Sequence, residues 1–150
     1  MDDFEKNLNH VLVETFNYIL KYEETSLKKV LDVPVTITET HIIEAVAKQD
    51  GNETTVSKIA ALLNIAMPTA TVAVKKMESK GFISKGPCKS DGRRTIVSLT
   101  ETGRKIEKAH SLFHMQMVRN ISKQFADAEK DVLLKVVTML KEYFKIKVEA

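Results

Sequence analysis

Several protein classes are excluded by what this 150-residue chain lacks. A single cysteine rules out an internal disulfide and suits a reducing compartment. With 5 glycines and 3 prolines, collagen-like and low-complexity classes are excluded. No apolar run approaches the roughly 18 residues that cross a bilayer. The opening stretch MDDFEKNLNH is acidic and amphipathic, unlike a secretory leader. The expectation is a cytoplasmic protein with no membrane contact. What is present is 43% hydrophobic residues, too many for a disordered chain, over a length that suits a single domain spanning 1–150.

Charge is unevenly spread. Residues 1–53 hold 5 basic and 11 acidic side chains, residues 54–100 hold 8 and 2, and residues 101–150 hold 10 and 7. A basic middle between less basic ends points to an anionic partner for that middle, although lysine-rich surfaces are also common without one.

Apolar residues recur at helical spacing from Phe4 to Leu31 with no proline or glycine between, which predicts one long helix. After Pro34, Thr36 and Thr38 are candidate caps of a second helix reaching about Lys48. Thr55 caps a third, Val56 to about Leu63, and Pro68 sits in the first turn of a fourth that ends near Lys80. Gly81 suits a left-handed helix end. Phe82–Lys85 and Thr95–Leu99 read as the strands of a hairpin. Thr100 and Asp127 are expected to cap two final helices, to about Ser122 and Lys147. The predicted class is mainly α with a small β-hairpin wing. Residues 36–100 form a winged helix-turn-helix core, and 1–34 and 101–150 form dimerisation helices.

If Ala70, Ala73, Val74 and Met77 of the fourth helix face the core, Thr69, Thr71, Val72, Lys75 and Lys76 face outward. Threonine hydroxyls can read base edges or phosphates, valine and threonine methyls can contact thymine, and lysines meet phosphate or guanine. The hairpin adds Lys85, Lys89, Arg93 and Arg94. The last helix carries apolar residues on more than one face, which pairing with a second chain would cover. His110 and His114, four apart, share a helix face; with His41 and Glu23 they make three imidazoles and one carboxylate, a donor set for tetrahedral zinc. The same histidines could instead be satisfied by local hydrogen bonds.

The segment Thr55 to Thr100, followed by Gly103, resembles the MarR family of bacterial transcription regulators. The pattern comprises Thr55, Ile59-Ala60, Leu63, Thr69, Thr71, Met77-Glu78, Lys80-Gly81-Phe82-Ile83, Asp91-x-Arg93 and Leu99-Thr100. Ala66 and Pro68 depart from it, since a Ser or Thr cap is common there. The resemblance implies a dimeric DNA-binding regulator, most often a repressor, on a near-palindromic double-stranded operator. It implies that Thr55 and the fourth-helix face contact DNA, and that Arg93, oriented by Asp91, enters the minor groove. The strings Glu23-Glu24-Thr25-Ser26-Leu27, Glu39-Thr40-His41 and His110-Ser111-Leu112-Phe113-His114 are similar to the FabT-type subgroup that controls fatty-acid synthesis. That likeness implies an effector pocket with Leu27, Phe113 and Met117, and an acyl-acyl carrier protein or small hydrophobic corepressor. The Glu and His spacing is also similar to the family's zinc-sensing members, so both effectors stay open. A winged helix that binds protein instead of DNA is the competing class. No catalytic triad or glycine-rich phosphate loop is present, and an enzyme is not expected.

Overall fold

The computed structural model describes residues 1–88 and 95–149. These form two compact units, Met1–Phe113 and His114–Ala150. Among the described residues six α-helices, one short 3-10 helix at Asp50–Asn52 and three strands occur, the helices and strands in the order α1 Asp3–Val30, α2 Ile37–Ala47, β1 Glu53–Thr54, α3 Val56–Leu63, α4 Met67–Ser79, β2 Ile83–Pro87, β3 Thr95–Leu99, α5 Glu101–Ser122 and α6 Asp127–Glu149.

The helix starts are set locally. Asp2 and Glu5 form a reciprocal capping box on α1, and Thr36 and Glu39 form another on α2. Thr36 is therefore the cap of α2, and Thr38 lies inside the first turn. Thr55 accepts the backbone N–H of Lys58 at 3.2 Å to start α3, and Asn64, left-handed at φ 50°, ends it. Ala66 supplies no side-chain cap to α4, and Pro68 in the first turn offsets that loss by fixing φ in advance. The chain bends by 116° between α3 and α4, a helix-turn-helix. At α6 the helix begins with Asp127 itself, not after it as the sequence suggests. The carboxylate of Glu129 reaches back to accept the N–H of Ala126 at 2.7 Å.

The wing is larger than a hairpin. Its sheet has three antiparallel strands in the order β1-β3-β2, with Thr54 opposite Val97 and Ile83 opposite Leu99. Beneath it lies the core: Ile42, Ile43 and Val46 of α2, Ile59 of α3, Val74 and Met77 of α4, Phe82, Ile83, Val97, Leu99, and Ile106 of α5. Each large aliphatic or aromatic side chain buried here contributes about 1.5–3 kcal/mol, and together they fix α4 with one face inward.

In the second unit α6 has no buried residue among those described. Val132, Leu134, Val136, Val137, Met139, Tyr143 and Phe144 are all exposed on the single chain. In the first unit Phe4, Val11 and Phe16 of α1 are likewise open to solvent, Phe4 at 72%. No single helix among the described residues is long and apolar enough to cross a membrane.

Candidate functional site

The outer face of α4 is as its spacing requires. Ala70, Val74 and Met77 are buried, and Thr69, Thr71, Val72, Lys75 and Lys76 are all exposed. Thr71 differs in one respect. Its hydroxyl donates to the Met67 carbonyl at 2.9 Å, so its donor is occupied within the helix, and its methyl group and the acceptor lone pairs of Oγ1 are left for a partner. Thr55 is half-buried at the head of α3, its hydroxyl engaged by Lys58 N and 3.0 Å from Ser57 Oγ. Lys89, Asp91, Arg93 and Arg94 lie outside the described residues.

Three ion pairs among the described residues brace α4 and its end, and none is apparent from the sequence pattern. Lys85, counted above among the basic wing residues, places its ammonium 2.8 Å from Glu78 and ties β2 to the helix, so its charge is matched locally. Lys80, the C-cap just after α4, places its ammonium 2.8 and 2.9 Å from the two Glu39 oxygens, and Lys76 reaches the same carboxylate at 3.9 Å. Burial pushes the Glu39 carboxyl up. Hydrogen bonds from Lys80 and the Thr36 backbone, together with the charges of Lys80 and Lys76, outweigh burial and hold it below its ordinary value. A carboxyl held low stabilises the fold fully at neutral pH, and that stabilisation is lost as pH falls through the lowered value.

A second cluster lies between α1, α2 and α5. Glu23 and His110, both almost fully buried, share a hydrogen bond of 2.6 Å between Oε1 and Nε2. His41 Nε2 stands 4.0 Å from the same oxygen, and the two imidazole rings are 6.0 Å apart. One donor atom from each of Glu23, His41 and His110 lies within 4.8 Å of the others. Helical spacing explains the convergence: Glu23 is on the inward stripe of α1 four residues before Leu27, and His110 follows Ile106 by four on α5. One carboxylate oxygen and two imidazole nitrogens suit zinc. His41 is partly exposed beside a cleft of about 250 Å³ formed with Glu44, Ala45, Lys48, Gln49, Leu62 and Leu63, so an ion could reach the cluster from solvent. His114, the fourth expected ligand, is half-buried in the second unit. Of the expected effector residues, Leu27 and Phe113 are buried in the first unit, where Phe113 meets Tyr22 edge-on at 5.1 Å, and Met117 is half-buried in the second.

Comparison with known proteins agrees with the winged-helix fold. The model of the MarR family matches residues 35–95. Streptococcus pneumoniae FabT, solved in complex with DNA, is similar at TM-score 0.86 and 28% identity over 94% of this chain and 97% of that one. A variant of Lactococcus lactis ZitR is 31% identical over 76% of this chain and 78% of that one, at TM-score 0.57. The transcriptional regulator AdcR of Streptococcus pyogenes is 26% identical over 114 residues, 74% of this chain and 76% of that protein.

Proposed function

Because this chain belongs to the MarR family of winged-helix DNA-binding transcription regulators, we propose that it works in the cytoplasm as a homodimeric repressor on a pseudo-palindromic operator. One observation carries this reading. The outer face of α4 offers methyls and ammonium groups on a helix braced by the core, the form that fits a major groove. Arg93, with Asp91, would enter the adjacent minor groove. The exposed apolar residues of α1 and of α6 would be covered by the second copy, at about 25 cal/mol per Å² buried. Two copies related by a two-fold axis present two α4 helices to two half-sites.

Lys75 is expected to meet a phosphate. In titrations of a duplex selected by the wild-type protein from a random pool, Lys75→Ala should lower the slope of log affinity against log salt by about one. A slope equal to that of the wild type would remove Lys75 from the interface.

For the effector, the extent of the likeness to FabT supports an acyl-acyl carrier protein corepressor whose chain contacts Leu27 and Phe113. A specific observation favours a second reading. The carboxylate and imidazoles of Glu23, His41 and His110 meet at metal-ligand range. Zinc, when bound, would draw α1, α2 and α5 together; the protein's part is to hold deprotonated donors, so its affinity should fall in acid. Calorimetry with zinc and with acyl-acyl carrier protein, on wild type and His41→Ala, separates the two. Zinc binding abolished by His41→Ala selects the metal. Acyl-carrier binding that His41→Ala leaves intact selects the corepressor. Heat from neither rejects both effectors. Either ligand acts only through unequal affinity for the DNA-bound and free forms.

A further inference from the structure

We propose that Glu39 is a positioning residue for sequence discrimination: through Lys80 it holds the reading helix α4 in the pose that base contact requires, and its negative charge partly offsets that of Lys76. The inference rests on the DNA-binding reading above and adds a residue that touches no DNA.

Glu39 stands at the first turn of α2, and its carboxylate does three things at once. One oxygen, Oε2, accepts the Thr36 backbone N–H at 2.9 Å and so starts α2. Both oxygens accept from Nζ of Lys80, the residue whose backbone N–H closes the C-terminal end of α4; the same Nζ donates to the Pro34 carbonyl at 3.4 Å. The Glu39 side chain is 5% exposed and that of Lys80 27%, so this bridge is shielded from the solvent that weakens surface pairs. The N-terminal start of α2 and the C-terminal end of α4 are thus pinned at one point, while the face of α4 bearing Thr69, Val72 and Lys75 stays open.

The Lys76 pair is of another kind. At 3.9 Å, with the lysine side chain 62% exposed, it is loose, and a phosphate competes with it readily. Its effect is to offset one positive charge on the DNA-facing side. Base contacts depend on helix pose, whereas attraction to phosphate depends on charge alone. Removing the Glu39 charge therefore changes the two modes of binding in opposite directions, which a general loss of fold would not do.

The test uses two duplexes, one selected from a random pool by the wild-type protein and a scrambled one of the same composition. Glu39→Gln keeps a side chain that completes the capping box. It should weaken binding to the selected duplex by about tenfold, the worth of one base contact. It should strengthen binding to the scrambled duplex by about fivefold near 0.15 M salt and steepen its salt slope by about one. Lys80→Met cuts the same bridge while removing a positive charge, and the Thr36 N–H and Lys76 remain beside the Glu39 carboxylate. It should weaken the selected duplex by a similar factor with no gain on the scrambled one. Glu39→Gln shifting both duplexes by the same factor, or Lys80→Met leaving the selected duplex unaffected, would overturn the proposal. A wild-type protein that selects no sequence would reject the DNA-binding reading itself, and the proposal with it.

Discussion

Gly103→Ala is expected to destabilise the protein by about 3 kcal/mol, although the same change on an open helix surface is favourable by about 1 kcal/mol. Gly103 lies in the first turn of α5, directly over the Phe82 carbonyl. A Cβ there would stand 2.1 Å from that oxygen and 3.2 Å from its carbon. The obstacle is backbone and cannot swing aside. The same carbonyl also accepts the N–H of Thr100 at 3.1 Å and its hydroxyl at 2.9 Å, so moving it pulls apart the junction of wing, α4 and α5. Thermal unfolding checks this, with a midpoint lower by about 6–12 °C. Gly86→Ala is the control. Its Cβ would meet nothing within 4 Å at an ordinary backbone angle, so its stability should stay within about 0.5 kcal/mol of wild type. A Gly103→Ala protein as stable as the control would mean that the α5–Phe82 contact is looser than the structure has it.

His110→Leu is expected to cost about 3–5 kcal/mol, a large share of the roughly 5–15 kcal/mol that holds a domain together. The cause is the carboxylate left behind. Glu23 is 2% exposed and gives Oε1 to His110 at 2.6 Å, while His41 is farther off at 4.0 Å. An unpaired buried charge loses its solvation with little in return. Changing both partners, Glu23→Met with His110→Leu, should recover most of the loss, because an apolar pair of similar volume has no desolvation to offset. Urea unfolding of the single and double variants measures this. A double variant as unstable as the single would locate the cost in packing, and an unaffected single would mean that Glu23 is satisfied elsewhere.

The helices and the reading face were legible because their causes are local. Thr36, Thr55 and Pro68 act on the turn that follows them, and the inward set Ala70, Val74 and Met77 is a matter of helical period. β1 was not legible. Two residues, Glu53 and Thr54, carry no period, and they are a strand only because Ser98 and Val97 lie beside them. Nor was the role of Glu39, which reads as one half of a capping box until Lys80, 41 residues on, arrives at its carboxylate.

The metal-type cluster divides along the same line. Residue types and the stripe positions of Glu23 and His110 can be read from the chain alone, and so can the turn, cap and period of each helix, because each depends on neighbours within about four positions. That Glu23 and His110, 87 residues apart, are hydrogen-bonded at 2.6 Å depends on how α1 and α5 pack. No periodicity encodes a distance between helices. It follows from how side chains far apart in the chain pack together, and on α1, α2 and α5 Leu27, Ile42 and Ile106 are each at most 2% exposed.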